Sequence, residues 1–327
     1  MLTTLSKSYW FGVVIIIFLN VSQASHLRGD ENLPREKDRG LLSLLALPDP
    51  KSVVLKQEQY LWHLMSPSRQ TDALAEVMQY MKAHADKLNT PGPRDKKLGK
   101  CNLSPFGSGY GGKFLCEFPS ALEGESSCNF ISFGIAHDFS FDVDLATKKK
   151  CRGFAADPTV IHPSHLETPF VTFHNIGAKT LHENSQQKGN LGPEWWLTSV
   201  PALKRFLRLS KINVLKMDCE GCEYSLARDI IEEEPDFFDY VDQFSFEAHL
   251  TKVWMADPET LYYFGLLLKL LDDAGFKLQN FSHGGCSARA EEAGCMDELK
   301  AINYPCCPNS CHDYLFAKAH FEDNSME

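Results

Sequence analysis

Residues Val214–Tyr224 read V-L-K-M-D-C-E-G-C-E-Y. The run Ile212–Met217 is apolar except at Asn213 and Lys216, and a short run of this kind fits a strand buried in a parallel sheet. Carboxylates follow at Asp218, Glu220 and Glu223, and Gly221 between them allows a tight turn. From Tyr224 onward, Leu226, Ile230 and Ile231 fall at helical spacing. The stretch therefore predicts strand, acidic turn, helix. In an open α/β sheet, ligands bind at the carboxyl ends of the strands. Three carboxylates at such an edge are costly unless they are solvated, hydrogen-bonded or set against a cation.

The same alternation extends in both directions. Strand-like runs at Asn129–Phe133, Gly153–Ala156 and Phe170–Phe173 end at Gly134, at Asp157-Pro158 and at His174-Asn175-Ile176-Gly177. A helix is predicted at Val200–Leu209, capped by Ser199 and with Pro201 in its first turn. Val241–Phe246 reads as a fifth strand ending at Glu247-Ala248-His249, and Pro258–Ala274 as a helix stopped by Gly275. Phe276–Phe281 and Tyr314–Ala317 lack a long helix between them, so they are expected to pair antiparallel around the cysteine-rich stretch Gly284–Cys311. Five strands each followed by a crossover predict an α/β, doubly wound sheet. Upstream, Thr71–Leu88 carries Leu74, Val77, Met78 and Met81 on one helical stripe. Leu41–Leu47 and Val53–Leu64 also have helical spacing, and Asn89–Lys100, with its prolines and glycines, reads as a linker.

A chain of 327 residues holds one large domain plus an extension. Its formal net charge of −10 argues against nucleic acid or an anionic membrane surface as the main partner. Lys7, the apolar run Tyr9–Leu19 and the small residues Ser22 and Ala24 form the pattern of a secretory signal peptide cut after Ala24. The expected location is outside the cell or in the secretory-pathway lumen, with no stable membrane span after cleavage. An uncleaved Golgi signal anchor is the alternative. On this route, disulfides are the expected state of the eleven cysteines, all beyond Lys100. Their odd number leaves at least one thiol free or joined to another molecule. Cys286, Cys295, Cys306, Cys307 and Cys311 lack a regular zinc spacing. Cys219 and Cys222 read as packing residues or a bridge rather than as a redox motif. Asn102-Leu103-Ser104 and Asn280-Phe281-Ser282 are glycosylation sequons.

In a doubly wound sheet the first two strands form a mononucleotide-binding half. Gly134 ends the first, where backbone passes close to a ligand; Asp157 ends the second, where a carboxylate accepts the hydroxyls of a ribose. Their order ahead of the acidic turn points to nucleoside binding. At the neighbouring strand ends, Asp218, Glu220, Glu247 and His249 are candidates for taking a proton from an acceptor. Asp218, Glu220 and Glu247 are also candidate oxygen ligands for a divalent cation.

Several motifs carry a family likeness. They are G-G-K-F-L-C at Gly111–Cys116, S-F-G-I-A-H-D-F-S-F-D at Ser132–Asp142, A-D-P-T at Ala156–Thr159 and H-N-I-G at His174–Gly177. With L-K-M-D-C-E-G-C-E-Y at Leu215–Tyr224 and F-E-A-H-L at Phe246–Leu250, they resemble the methyltransferase-like domain proteins related to the FkbM-type methyltransferases. The resemblance covers Cys101–Lys318 and rests most on the K-x-D-x-E-G-x-E core. It implies a Rossmann-like doubly wound sheet of the class I methyltransferase type, with antiparallel last strands and an N-terminal helical extension. It also implies S-adenosylmethionine as cofactor, with Gly134, Asp138, Asp157, His174, Asn175 and Asp218 as the expected binding residues. The first loop departs from the usual pattern, since Gly134 alone stands where related loops carry several glycines.

The expected organisation is a signal peptide at 1–24, a linker and helical extension at 25–100, and a methyltransferase domain at 101–320. A cysteine-rich insertion occupies 284–312 of that domain, and 321–327 is a tail. The expected activity is S-adenosylmethionine-dependent O-methylation of a small molecule or glycan in the secretory pathway. Two alternatives are a secreted non-catalytic binding protein with the same fold and a nicotinamide-dependent oxidoreductase. Asp157 would also hold the nicotinamide ribose, but hydride transfer gives the acidic turn no task.

Overall fold

A computed structural model describes residues 59–89, 95–118, 128–160, 163–181, 195–284, 288–306 and 311–323. The expected signal peptide, the Leu41–Leu47 helix, Cys286, Cys307 and the last residues of the tail lie outside them.

The strands in chain order are β1 (Asp95–Lys97), β2 (Leu103–Phe106), β3 (Lys113–Cys116), β4 (Asn129–Phe133), β5 (Arg152–Ala156), β6 (His165–Thr168) and β7 (Val171–His174). They continue with β8 (Ile176–Ala178), β9 (Trp196–Thr198), β10 (Ile212–Met217), β11 (Val241–His249), β12 (Phe276–His283) and β13 (Cys311–Lys318). The main helices are α1 (Pro67–Leu88), α2 (Ser140–Lys148), α3 (Val200–Phe206), α4 (Cys222–Glu233) and α5 (Pro258–Asp273).

Nine strands form one mixed sheet in the order β1-β12-β13-β11-β10-β4-β5-β7-β6. The strands β7, β5, β4, β10 and β11 run parallel, and β13 is antiparallel to both β11 and β12. The chain winds outward from β4 to β7, then returns to place β10 on the other side of β4. That reversal puts a crevice between the carboxyl ends of β4 and β10, the position where doubly wound sheets bind ligands.

Alternation along the strands feeds a core on each face. Ile131, Phe133, Leu215, Met217, Phe244 and Phe246 pack with α1, α4 and α5. On the other face, Phe130 and Val214 pack with Phe141 and Leu145 of α2 and with Phe106 and Leu115 of the β2–β3 hairpin. Burial on both faces is why the central strands read as nearly unbroken apolar runs.

The helix expected at Thr71–Leu88 enters the main core as α1, with Met81, Ala85 and Leu88 fully buried. Gly265 permits that contact, since a Cβ there would lie 2.8 Å from Cβ of Val77. The expected linker contains β1, which pairs antiparallel with β12. Its sequence, Asp-Lys-Lys, is charged as edge strands often are, so composition hid a strand that is held by backbone pairing. Finally, β11 does not stop at Phe246 but runs to His249, because β13 pairs with it as far as His249↔Cys311.

Disulfides staple the periphery. Cys101–Cys116 closes the β2–β3 hairpin, Cys128–Cys151 joins the starts of β4 and β5, and Cys295–Cys306 closes part of the cysteine-rich insertion. Cys219–Cys222 bridges the acidic turn, Cys311 is also disulfide-bonded, and no cysteine among the described residues is free. The two sequons differ: Asn102 is exposed, whereas Asn280 lies inside β12 at 5% exposure, leaving no room for a glycan there. Among the described residues no helix is long and apolar enough to cross a membrane.

Candidate active site

The loop after β4 and the turn after β10 meet at the crevice. Gly134 has φ +77°, and a Cβ on it would lie 1.5 Å from the Asp218 carbonyl oxygen, so only glycine allows this contact. Ala136, two residues on, also has positive φ, and its N–H donates to Oδ2 of Asp157 at 2.7 Å. Oδ1 of Asp157 accepts the Thr159 N–H at 2.8 Å and the Thr159 hydroxyl at 2.6 Å. Asp157 thus ends β5 as expected, but it is buried and its carboxylate is engaged with protein donors. In this arrangement it shapes the loop.

The other expected cofactor residues build the same rim. Asp138 accepts the N–H of Gly111 at 3.1 Å and that of Ser140 at 2.9 Å, tying the glycine-rich stretch before β3 to the loop. Slight burial works against its charge, but these hydrogen bonds hold its carboxyl below the usual range. The His174 ring stacks on Phe154 with centroids 4.3 Å apart, and burial lowers its pKa. The Asn175 side chain donates to the carbonyls of Asp157 and Val160, bracing the segment after β5 against that after β7.

Beside the crevice lies a compact ionic cluster. The β2–β3 hairpin is fastened over β11 by Gln243, whose side chain accepts from the Cys116 N–H at 2.8 Å and donates to the Cys116 carbonyl at 3.0 Å. This places Lys113, at the start of β3, among three carboxylates. Its Nζ lies 3.2 Å from Asp218, 3.3 Å from Glu247 and 2.5 Å from Asp313. The Lys113 side chain is 2% exposed, whereas those of Asp218, Glu247 and Asp313 are 21%, 20% and 30% exposed, so the carboxylates face outward over a buried cation.

A second cation stands next to the first. Nδ1 of His249 lies 2.7 Å from Oε1 of fully buried Glu223, and Nε2 lies 4.0 Å from Asp218 and 3.8 Å from Glu247. Trp254 packs edge-on against the imidazole at 4.9 Å between centroids. The other Glu223 oxygen accepts the Gly221 N–H at 2.7 Å, so one carboxylate fixes both the acidic turn and the histidine.

These contacts separate the charge states. Burial opposes charge on Lys113, but Asp218, Asp313 and Glu247 more than offset it and raise its pKa. Burial likewise opposes the Asp218 carboxylate, yet Lys113, Lys216 and His249 bring it down to about 2. His249 is raised to about 10, because Glu223 overrides the cost of burial. Glu247 goes the other way, pushed up to about 7 by burial and by Asp218 despite Lys113. These shifts favour charge on Lys113, His249 and Asp218 and disfavour it on Glu247.

The structure brings together Asp218, Glu247 and His249 of the expected catalytic residues, but not Glu220. Glu220 is exposed at φ +56° in the turn. Of the expected divalent-cation candidates Asp218, Glu220 and Glu247, Asp218 and Glu247 already face a cation within the chain, the Lys113 ammonium. Glu247, His249 and Cys311 do converge within 4.8 Å, but Cys311 is disulfide-bonded and offers no thiolate. Sequence reasoning missed Lys113 and Asp313 as members of the site, and it placed Glu223 in the acidic turn without assigning it a role. A lysine between a glycine-rich stretch and an apolar strand, in Gly111–Cys116, was the available signal for the first.

A family described as a methyltransferase domain matches residues 94–260, about half of the chain. A human protein called probable methyltransferase-like protein 24 is 26% identical over 167 residues, covering 46% of this chain and 42% of that protein. The chain thus matches less than half the length of that relative. Among solved structures, a human methyltransferase 10 domain containing protein overlaps 61% of this chain and 75% of its own, at 10% identity and a TM-score of 0.27. With the sheet order, the switch-point crevice and the family match in agreement, the chain belongs to the methyltransferase domain family and has a fold of the class I methyltransferase type.

Proposed function

We propose that the protein transfers a methyl group from S-adenosylmethionine to a hydroxyl of a small molecule or glycan in the secretory pathway, with Glu247 as proton acceptor. The observation that carries this reading is the Glu247 carboxylate, held outward at the ligand-binding edge of a methyltransferase sheet 3.3 Å from Lys113 and 3.8 Å from His249, with burial and Asp218 raising its pKa. When bound, S-adenosylmethionine supplies an electrophilic methyl group beside a positive sulfonium. The outward carboxylates of Asp218, Glu247 and Asp313 suit that positive charge. The loop at Gly134–Asp138 and the rim of His174 and Asn175 would hold the rest of the donor. Asp157 supports this by setting the loop rather than by touching the ribose.

A hydroxyl is a poor nucleophile until it loses its proton, and a base works best with a pKa near the working pH. Of Asp218, Glu247 and His249, Glu247 is the one raised toward that range: Asp218 is too weak a base, and His249 already carries its proton. Lys113 fixes the positions of Asp218 and Glu247, and such positioning supplies much of the rate of a two-substrate reaction. The K-x-D-x-E-G-x-E core supports the FkbM-type branch. The disulfides and the exposed Asn102 sequon support an exported route.

Calorimetric titration of the purified protein with S-adenosylhomocysteine, S-adenosylmethionine and NAD tests the donor. The first two are expected to bind at one site and raise the melting temperature, as a ligand selective for the folded state does. Binding of NAD instead, or of none of the three, would overturn the reading.

A further inference from the structure

Lys216 is a charged residue in the interior of a parallel strand, flanked by Leu215 and Met217 and only 3% exposed. A buried ammonium is costly unless it is paired and hydrogen-bonded. Its Nζ donates to the Gly134 carbonyl at 2.7 Å and to the Phe133 carbonyl at 3.4 Å. Both carbonyls belong to the point where β4 turns into the loop. Alternation along β10 directs Lys216 to the same face as Val214, which packs with α2. The first turn of α2 carries Asp142, 1% exposed. Burial pushes the Asp142 carboxyl up to about 6, and Lys216, followed by Ser132, is what chiefly opposes that rise.

The loop above them has one glycine where related loops have several. Glycine-rich loops take left-handed backbone freely, whereas a residue with a Cβ must be held there. Here Ala136 occupies that region with φ +50°, held by the carboxylate of Asp157 on its N–H. Lys216 holds the preceding carbonyls from below. One buried anion and one buried cation thus clamp opposite sides of a four-residue stretch.

We infer that Lys216 is a positioning residue for the methyl donor, its internal ammonium holding the Phe133 and Gly134 carbonyls where β4 enters the donor loop. This rests on the donor reading above. Lys216 touches neither reacting atom; it acts through the shape of the Gly134–Asp138 loop.

The test is the affinity of S-adenosylhomocysteine for wild type, Lys216→Met and Asp142→Asn, each measured by calorimetry after its unliganded melting curve. Lys216→Met is expected to weaken binding by about 10- to 100-fold, the range for losing hydrogen bonds to a charged group. Asp142→Asn, which preserves shape but removes one of the buried charges near Lys216, is expected to weaken binding in the same direction by a smaller factor. A folded variant of either kind with wild-type affinity would make Lys216 a core ion alone and overturn the inference. Should Lys216→Met fail to fold, Asp142→Asn decides. Wild type that fails to bind S-adenosylhomocysteine would remove the donor reading and this inference together; wild type that binds, with variants that bind equally, removes the inference alone.

Discussion

Glu223 in the first turn of α4 and His249 at the end of β11 share a contact of 2.7 Å between Oε1 and Nδ1, and this contact joins the acidic turn to the neighbouring strand. The Tyr224 hydroxyl reinforces it by donating to the His249 carbonyl at 2.6 Å. Burial alone would lower the His249 pKa, and Glu223 reverses that effect to bring it to about 10. Glu223→Gln keeps the shape and removes the charge. The imidazole is then expected to titrate well below 10, checked by NMR of the ring protons. An unchanged titration would show that Asp218 and Glu247 hold the charge instead.

Stability should depend on pH through three groups with different signs. His249 is raised from 6.5 to about 10, so its contribution is full below 6.5 and is lost as pH rises through about 10. Asp218 is lowered from 3.8 to about 2, so its contribution is present above 3.8 and is lost as pH falls through about 2. Glu247 is raised from 4.5 to about 7, so the native state keeps a proton that the unfolded chain releases, and its contribution declines as pH rises from 4.5 to about 7. Urea unfolding across this range should show a smaller decline between pH 4.5 and 7 in Glu247→Gln than in wild type. An equal slope in the two proteins would assign the decline to other groups, such as Asp142, whose carboxyl is also raised.

Lys113 is the cation on which three carboxylates converge. Lys113→Met leaves Asp218, Glu247 and Asp313 facing one another, and breaking a buried pair in this way typically costs about 3–5 kcal/mol. Chemical denaturation should show a loss of that order, and any activity of the folded fraction should have its acid limb moved to higher pH as Glu247 rises further. Chelators, by contrast, are expected to leave activity unchanged, since the cation is part of the chain. Activity lost to EDTA and restored by Mg²⁺ or Mn²⁺ would contradict this.

Much of the fold was legible because the parallel strands are buried on both faces and carry their own apolar signal. Val214, Phe130 and Phe244 lie in strands visible without tertiary knowledge. The strand β1 was not, because three charged residues on a sheet edge are held by backbone bonds that side chains do not advertise. The role of α1 was hidden for another reason: an amphipathic stripe says that Val77 and Met81 are buried, not against what. The site divided in the same way. Asp218, Glu247 and His249 stand at strand ends and could be picked out, whereas Lys113 and Asp313 come from hairpins whose register only folding fixes. Asp157 was placed correctly, but its partners Ala136 and Thr159 were not foreseeable from spacing.

The most direct test is transfer of labelled methyl from S-adenosylmethionine into a panel of hydroxyl-bearing small molecules and glycans, comparing wild type with Glu247→Gln across pH. Wild type is expected to label a hydroxyl acceptor at a rate that falls as pH drops below about 7, where Glu247 takes up its proton. Glu247→Gln is expected to bind the donor normally and to turn over roughly 10²- to 10⁴-fold more slowly, the span of general acid–base effects. A folded Glu247→Gln enzyme that methylates the same acceptor at the wild-type rate, with the wild-type pH profile, would contradict the account.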